Sequence, residues 1–314
     1  MEEAARAAVL ADWRADDATF QTAFRLPGQE DKHDRLASLH PFARDTRVIF
    51  EEEGHRYKVD GKTVPSSVTT ILGKFHSHFD GAAAIKKMRQ GRCWPTKRLE
   101  FLTPEGREMT DDEILQKWEN SKIVASNRGT LMHYQIEMYI NGATVDHPWS
   151  PEFKQFLDFY AREMEPYGLE PFRTEASLFH CGLNVAGQAD FLARVRGSDG
   201  DLVLFDWKRS KEIRFQNAFE QMKEPVAHFS DFNFHRYALQ LNMYRYILQT
   251  EYGYNVVRMV LGVFHPEPVG RAPEPLTVPI PVLDTETEAI VRALGGEAPR
   301  PGADALFEYP SGKS

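Results

Sequence analysis

The segment 202–208 combines an apolar strand pattern with two charged side chains that could act together on a phosphate. It reads Leu-Val-Leu-Phe-Asp-Trp-Lys. Alternate residues of a strand share a face, so Asp206 and Lys208 point to one side and Trp207 points to the other. A carboxylate beside an ammonium group can hold a metal ion and steer an attacking water. Ion pairs at strand ends also occur in a purely structural role, and this segment alone does not decide between the two.

A second carboxylate, Asp190, lies in the preceding strand-like run, which reads Gly-Gln-Ala-Asp-Phe-Leu-Ala from residue 187. An unpaired buried carboxylate is costly, so Asp190 needs a cation or hydrogen-bond donors. If the two runs pair across the turn at 197–200, Asp190 and Asp206 can lie side by side and repel each other unless a divalent ion neutralises them. Such oxygen ligands suit Mg²⁺ or Mn²⁺ rather than zinc. The alternative is two acids that each bind a lysine or the backbone.

Together with motifs on either side, these residues resemble the PD-(D/E)XK nuclease superfamily in its RecB-type branch. The matching elements, in chain order, are Arg-Gly-Thr-Leu-Met-His at 128–133, Glu175, Gly-Gln-Ala-Asp at 187–190, Asp-Trp-Lys at 206–208 and Tyr-Ala-Leu-Gln-Leu-Asn-Met-Tyr at 237–244. Each motif alone is weak, whereas the ordered set is specific. The stretch Pro-Ser-Ser-Val-Thr-Thr-Ile-Leu at 65–72, with the hairpin before it, also looks like single-chain exonucleases such as the mitochondrial genome maintenance exonuclease and its phage relatives.

The resemblance implies an α/β fold with a restriction-endonuclease-like core, in which helices flank a mixed central sheet, and metal-dependent hydrolysis of phosphodiester bonds. The catalytic residues that it implies are Asp190, Asp206, Lys208 and Glu175. The metal ligands that it implies for Mg²⁺ or Mn²⁺ are His133, Asp190, Asp206 and the carbonyl oxygen of Trp207. Several RecB-type relatives carry an iron–sulphur cluster on four cysteines, but this chain has two cysteines, so no such cluster is expected.

The flanking residues also have ordinary structural interpretations. His133 is either a metal ligand or a half-buried histidine without such a role. Glu175 either binds the metal or its water, or merely pairs with an arginine. Gln240 and Tyr244 are four residues apart and therefore share a helix face, where they either contact substrate or form a buried hydrogen-bonded pair that supports the site.

A basic stretch at 86–98 contains no acidic residue and is a candidate path for a DNA strand. A solvated helix face followed by a loop would have the same composition. Ser67 precedes a predicted helix, where a serine either caps the helix or holds a phosphate. The predicted substrate-binding residues are Gln240, Tyr244, Arg128, Ser67, Lys86, Lys87, Arg89 and Trp94.

Composition and charge set the wider expectations. The 314 residues carry a net charge of -8, which argues against a general nucleic-acid coat. An enzyme that acts on DNA remains compatible, because phosphate contacts depend on where the positive charge lies. The sequence has neither a bilayer-length apolar run nor a recognisable signal peptide, and it has two cysteines. We therefore expect an intracellular, soluble protein, in the cytoplasm or wherever its DNA lies, from a cellular, phage or viral gene.

The predicted elements position these residues in one catalytic core. Strands are predicted at 174–180, 185–195, 202–208 and 256–265, and helices at 111–126, 128–141, 151–165 and 235–250. Further expectations are a hairpin at Asp60 and Gly61, a last helix with a capping box of Thr285 and Glu288, and a loop with one edge strand at 266–281. The expected domains are a helical extension at 1–46, a nuclease domain at 47–295 with its core at about 120–265, and a flexible tail at 296–314.

These inferences predict a metal-dependent DNA exonuclease that acts on the ends of single-stranded DNA, in replication, repair or recombination. The preference for ends and single strands follows from the single-chain relatives and from the long segment before the core, which could cover the site. The alternatives are a structure-specific or site-specific endonuclease of the same fold, and a DNA-binding protein without activity. The sequence leaves the oligomeric state open.

Overall fold

The computed structural model describes residues 34–51, 54–145, 150–215, 220–266 and 274–296. Most of the predicted N-terminal extension, up to residue 33, and the predicted tail from residue 297 lie outside these ranges. The chain forms two compact units, a smaller one of Met1–Arg25 with His78–Leu131 and a larger one of Leu26–Ser77 with Met132–Ser314. All residues that are predicted to be catalytic or to bind metal belong to the larger unit.

The described ranges contain nine strands and eight α-helices. The strands are β1 (Val48–Glu51), β2 (Arg56–Val59), β3 (Lys62–Thr63), β4 (Ser66–Ser67), β5 (Leu169–His180), β6 (Val185–Val195), β7 (Asp201–Arg209), β8 (Asn255–Phe264) and β9 (Leu276–Pro279). The helices are α1 (Arg35–Leu39), α2 (Val68–Gly73), α3 (Gly81–Gln90), α4 (Trp94–Lys97), α5 (Asp111–Ile140), α6 (Pro151–Glu163), α7 (Asn233–Glu251) and α8 (Asp284–Ala293).

Strands β4 to β9 form a mixed sheet, as predicted. Strand β5 pairs antiparallel with β6, and β6 forms an antiparallel hairpin with β7. Strand β8 runs parallel to β7, and β9 is the antiparallel edge strand expected near 266–281. Strand β4 pairs parallel with the first two residues of β6. Because β5 occupies one edge of β6 along its length, β4 and β7 share the other edge.

Both faces of this sheet are covered by helices. The alternation predicted for β7 is confirmed, since Leu202 and Leu204 lie in the core beneath α2, α7 and α8, whereas Phe205 and Trp207 lie in the core beneath α6 and the end of α5. These four side chains are at most 1% exposed. Apolar burial therefore holds β7 from both sides and fixes the direction of the polar side chains that follow.

Strands β1 to β3 form a second, antiparallel sheet in which the predicted hairpin is confirmed. Asp60 and Gly61 connect β2 to β3, with φ angles of 50° and 76°. Two-residue hairpin turns require this left-handed backbone, which aspartate and glycine tolerate. Tyr57 of β2 is buried in a cluster with Phe179 and Ala186 of the mixed sheet, so this small sheet packs against β5 and β6.

The two helices predicted at 111–126 and 128–141 are a single helix, α5, and the predicted break is wrong. Gly129 adopts the helical conformation, and a Cβ atom there would meet nothing within 4 Å. An internal glycine costs only about 1 kcal/mol relative to alanine, which the other residues of a long helix offset. The helix ends before Gly142, whose φ of 74° is left-handed, so the predicted end is confirmed to within one residue.

The predicted capping box of Thr285 and Glu288 is absent. Helix α8 begins at Asp284, and the residue before it, Leu283, offers no side-chain cap. The carboxylate of Glu288 pairs instead with Arg292, at 2.8 Å. An acidic residue in the first helical turn, Asp284, provides the favourable charge that a helix N-terminus attracts.

The described part of the smaller unit has a core of its own. Ile85, Phe101 and Ile114 are buried together, and Trp94 and Trp118 pack against them half-buried. None of the described helices, in either unit, is both long enough and apolar enough to cross a bilayer.

Candidate active site

Three carboxylates lie in one row across neighbouring strands. In the pairing of β5 with β6, Glu175 and Asp190 both lie between the pairs Thr174–Phe191 and Ala176–Ala189. The pairing of β6 with β7 runs as far as Phe191 and Phe205, so Asp206 follows beside Asp190. Directly opposite residues of a sheet share a face. The structure thus brings together the three acids that the sequence singled out.

Beyond the pair of Phe191 and Phe205, strands β6 and β7 separate, and we call this point the fork. The Asp190 carboxylate fills it, because its Oδ2 accepts a hydrogen bond from the backbone N–H of Trp207 at 2.7 Å. This bond replaces the inter-strand bond that Trp207 would otherwise lose. Asp190 is 8% exposed and Asp206 is 1% exposed, so two charged groups are buried at the fork at considerable cost.

Lys208 and Gln240 hold the Asp206 carboxylate. Lys208 Nζ lies 2.6 Å from Oδ2, and Gln240 Nε2 donates to Oδ1 at 3.2 Å. The buried Oδ2 accepts no hydrogen bond of good geometry from the described residues, although the ammonium is close. The Lys208 ammonium is therefore the ionic partner of this oxygen.

Glu175 has a strained backbone. Its φ angle of 42° is left-handed and lies in the middle of β5. Such a conformation costs a non-glycine residue about 1–3 kcal/mol and persists where the surroundings fix it. Gln188 Nε2 donates to the Glu175 carbonyl at 3.0 Å and helps to hold it. Backbone strain of this kind is typical of functional sites.

His133 reaches the acidic row from helix α5. Its Nε2 lies 3.1 Å from the carbonyl oxygen of Trp207, and its Nδ1 lies 3.5 Å from Glu175 Oε1 and 3.7 Å from Asp190 Oδ2. An Nε2–H that donates to the carbonyl directs Nδ1 toward the two acids. One ligand atom from each of these three side chains lies within 4.8 Å of the others. This triad is a candidate metal centre in which Glu175 takes the place that the prediction gave to Asp206.

Burial and mutual repulsion shift the pKa values of the site. Burial raises the pKa of Asp206 to about 6, although Lys208 opposes the shift. Burial also raises the pKa of Asp190 and of Glu175. Burial alone would lower the pKa of His133, but Asp190 and Glu175 raise it to about 9. Burial would likewise lower the pKa of Lys208, but the neighbouring acids raise it, so its ammonium stays charged.

The donor set fits a hard divalent cation. With bonds of about 2.1 Å, Mg²⁺ has adjacent ligands about 3 Å apart and opposite ligands about 4 Å apart. A triad spread over 4.8 Å would close on an ion with shifts below about 1 Å. Asp206 lies beside Asp190 in the same row, whereas the carbonyl of Trp207, a predicted ligand, lies 3.1 Å from His133 Nε2 and thus across the ring from Nδ1. A cation would also neutralise the excess negative charge that raises the carboxyl pKa values.

The raised carboxyl pKa values predict that metal affinity depends on pH. Protons and Mg²⁺ compete for the same donor atoms, so Mg²⁺ affinity should fall by up to about tenfold per pH unit, for each displaced proton, below the His133 pKa of about 9 and again below the Asp206 pKa of about 6. Without metal, the folded state holds this proton more tightly than the unfolded state, whose pKa is near 3.8. The contribution of Asp206 to stability is therefore lost as pH rises between these values.

Thermal denaturation with and without Mg²⁺, at about pH 5 and about pH 7.5, measures both effects. We expect Mg²⁺ to raise the melting temperature far more at the higher pH. An equal rise at the two pH values would contradict the proposed competition.

Gly187, the first residue of the Gly-Gln-Ala-Asp motif, makes room for Tyr244. A Cβ atom at position 187 would lie 2.6 Å from Tyr244 Cε1 and 3.1 Å from its hydroxyl oxygen. Tyr244 is 3% exposed, and its hydroxyl lies 3.4 Å from Gln240 Nε2, which also donates to Asp206. This geometry favours the supporting role for Gln240 and Tyr244 over direct contact with substrate.

We expect Gly187→Ala to lower the free energy of unfolding by about 1–3 kcal/mol, because a buried ring must move to admit the methyl group. Chemical denaturation measures the change. Gly73→Ala is the matched control, since a Cβ at position 73 in α2 meets nothing within 4 Å and alanine favours a helix. If Gly187→Ala were as stable as this control, the close contact with Tyr244 would be wrong.

Two tyrosines at the site were not predicted. Tyr57 is buried, and burial together with the charges of Glu175 and Asp190 raises its pKa. The ring of Tyr237 lies 5.0 Å from Lys208 Nζ. Tyr237 opens the predicted helical motif, and its spacing could have revealed it. Tyr57 lies on a distant strand, and nothing in its sequence context connects it to the acids.

The predicted helix cap at Ser67 is confirmed. Its Oγ accepts a hydrogen bond from Thr70 N at 3.1 Å at the start of α2. In β4, Ser67 pairs with Ala186, beside the motif glycine Gly187. Its contact with a phosphate stays a prediction.

The remaining predicted substrate-binding residues belong to the smaller unit. They are Arg128, Lys86, Lys87, Arg89 and Trp94. Arg89 pairs with Asp111 at 2.8 Å, and its guanidinium lies 5.4 Å from the ring centroid of Trp94, so both side chains contribute to the structure of that unit. The role of all five in binding DNA stays a prediction.

No protein-family model matches the sequence, and no curated protein matches it. Among the solved structures with some similarity is one from Eubacterium rectale, described as a "putative exonuclease", with 11% sequence identity and a TM-score of 0.28. The match covers 71% of this chain and 66% of that one, just under two thirds of its length. A likeness of this size establishes neither the fold family nor the activity of this chain.

Proposed function

We propose that this chain is a Mg²⁺- or Mn²⁺-dependent deoxyribonuclease of the PD-(D/E)XK type that removes nucleotides from the ends of single-stranded DNA. The observation that carries the proposal is the row of Glu175, Asp190 and Asp206 at the fork, with Lys208 and His133 against it. Phosphodiester hydrolysis needs negative donors for a cation and a positive group for the phosphate. The fork supplies both within a few ångströms.

The proposed ligands come from three strands and one helix. His133, Glu175 and Asp190 would hold the cation, with Asp206 beside them, and the carbonyl of Trp207 would orient the His133 ring by accepting from its Nε2–H. When bound, the cation would lower the pKa of a water and offset the negative charge that develops on the phosphate. The hydrogen bond from Trp207 N–H keeps the Asp190 carboxylate directed into the fork.

Lys208 is the residue that we propose to interact with the phosphate. Its charged ammonium can donate to a non-bridging phosphate oxygen or orient the attacking water, and it offsets charge in the transition state. Without a bound cation it stays protonated, because Asp206 and Asp190 raise its pKa, so its proposed role is that of a positive charge and a hydrogen-bond donor. The ion pair with Asp206 and the ring of Tyr237 set its position, while Gln240 fixes the Asp206 carboxylate from the other side.

The test of end dependence compares a linear single strand, the same strand blocked at both ends, and a closed single-stranded circle, each with and without Mg²⁺. We expect rapid loss of the open linear strand and persistence of the blocked strand and the circle. Rapid cutting of the circle would favour the endonuclease alternative in the same fold. A failure to cut any of the three would favour a DNA-binding protein, although this chain retains both the ligands and the lysine that such proteins commonly lose.

A further inference from the structure

An exposed aromatic ring, Phe215, stands in the loop that follows the lysine of β7. It is 54% exposed, and its ring centroid lies 5.0 Å from that of Phe234, at an interplanar angle of 47°. Phe234 is half-buried in the first turn of α7 and packs against the main core. Half of this aromatic pair is therefore anchored, and the other half faces solvent.

The loop before Phe215 is fixed by side-chain hydrogen bonds. The Asn233 side chain binds it twice, because its Oδ1 accepts from Arg214 N at 2.8 Å and its Nδ2 donates to the Glu212 carbonyl at 3.0 Å. Ser210 Oγ donates to the same carbonyl at 2.8 Å. The chain is thus tied to the start of α7 up to the residue before Phe215.

The aromatic pair continues to the acidic row. Phe234 and Tyr237 are three residues apart in α7 and lie on neighbouring positions of its surface, and the ring of Tyr237 lies 5.0 Å from Lys208 Nζ. Phe215, Phe234 and Tyr237 therefore connect the loop to the Lys208 ammonium.

The charge beside these rings suits phosphate. Lys211 and Arg214 are exposed in the same loop. The one acid among them, Glu212, is neutralised by Arg214 at 2.6 Å. The loop therefore carries a net positive charge next to the aromatic pair.

We infer that Phe215, Phe234 and Tyr237 form a stacking surface that binds the bases of a single-stranded nucleic acid and leads its backbone to Lys208. This inference rests on the proposed function for the direction of the strand, and it adds the structural reason for a preference for single strands. Bases within a duplex stack on each other and cannot stack on protein rings, whereas an open strand can. Aromatic stacking also tolerates any base, so no sequence preference is expected.

The test uses the full chain carrying Lys208→Gln, so that bound DNA is preserved, and measures with Mg²⁺ the anisotropy of labelled oligo-dT, both as a single strand and annealed to oligo-dA. Adding Phe215→Ala should weaken binding about tenfold, since stacking of one base is worth about 1–3 kcal/mol. Adding Phe215→Trp should restore it, and adding Ile49→Ala, at another exposed apolar residue, should leave it unchanged. A strand that contains 2-aminopurine should lose fluorescence when it binds and stacks. Of the three added substitutions, only Phe215→Ala should reduce this quenching.

The outcomes separate this inference from the proposed function. Unchanged single-strand affinity and quenching in Phe215→Ala would overturn the stacking surface, even if the wild type hydrolyses DNA as proposed. Equal weakening for single strand and duplex would overturn it too, because stacking distinguishes the two. Phe215→Ala could weaken binding of the single strand but not of the duplex, while the wild type hydrolyses no DNA. That pair of results would support the stacking surface and reject the nuclease.

Discussion

Lys208→Gln is expected to slow DNA hydrolysis by about 10²- to 10³-fold, the usual cost of removing one group that stabilises charge in a transition state. The substitution removes a full positive charge, since the neighbouring acids keep the pKa of Lys208 raised. It removes none of the proposed metal ligands. Mg²⁺ should therefore still raise the melting temperature, and this separates a chemical role for the lysine from a role in binding the cation.

Lys154→Gln is the matched control for this substitution, because Lys154 is exposed on α6 in the same unit. Both variants are assayed on a labelled linear oligonucleotide at saturating Mg²⁺, and both are melted with and without the ion. If Lys208→Gln retained a rate within about tenfold of the control, Lys208 would have no place in the chemistry.

Asp190→Asn is expected to weaken Mg²⁺ binding by about 100-fold or more and to remove hydrolysis with it. The amide keeps the shape of the side chain, and its oxygen can still accept the hydrogen bond from Trp207 N–H at the fork. The negative charge is lost, however, and with it the main interaction that raises the pKa of His133. Calorimetric titration measures the affinity, and NMR titration of the imidazole should show a lower pKa in the variant.

Asp158→Asn provides the control, because Asp158 is exposed on α6. Solvent screens its charge, so removing it should not change the electrostatics at the fork. It should bind Mg²⁺ as the wild type does. Equal Mg²⁺ affinity in Asp190→Asn and in this control would mean that the acidic row is not the metal centre.

Side-chain directions along β7 were predictable because they depend on strand geometry alone. The alternation that sends Leu204 and Asp206 to one face and Phe205 to the other needs only the period of two, and both cores bear it out. The bounds of β6 were also predicted correctly. The start of β5 was not, since the strand begins at Leu169, five residues before the prediction, where Pro171 obscures the strand pattern.

The arrangement of ligand atoms could not be predicted from the sequence, because it depends on contacts between distant elements. The separation of the strands at the fork follows from the hydrogen bond between Asp190 and Trp207 N–H, which no local pattern encodes. The left-handed φ of Glu175 and the approach of Tyr57 likewise arise from packing. The motifs were sufficient to predict roles for the acids. The grouping of Glu175 with His133 is visible only from the distances between their ligand atoms in the folded chain.

The turn at 197–200 lies at the opposite end of the β6–β7 hairpin from the fork. Between them stand the paired residues that run from Arg194 and Leu202 to Phe191 and Phe205. Insertions or deletions in the turn leave these pairs intact, so the acids stay in place. One codon added between Phe191 and Arg194 would instead reverse the side chains on one strand relative to the other. Insertions and deletions in descendants of this gene are therefore expected in the turn. The strands beside the acids can change in residue type but not in length.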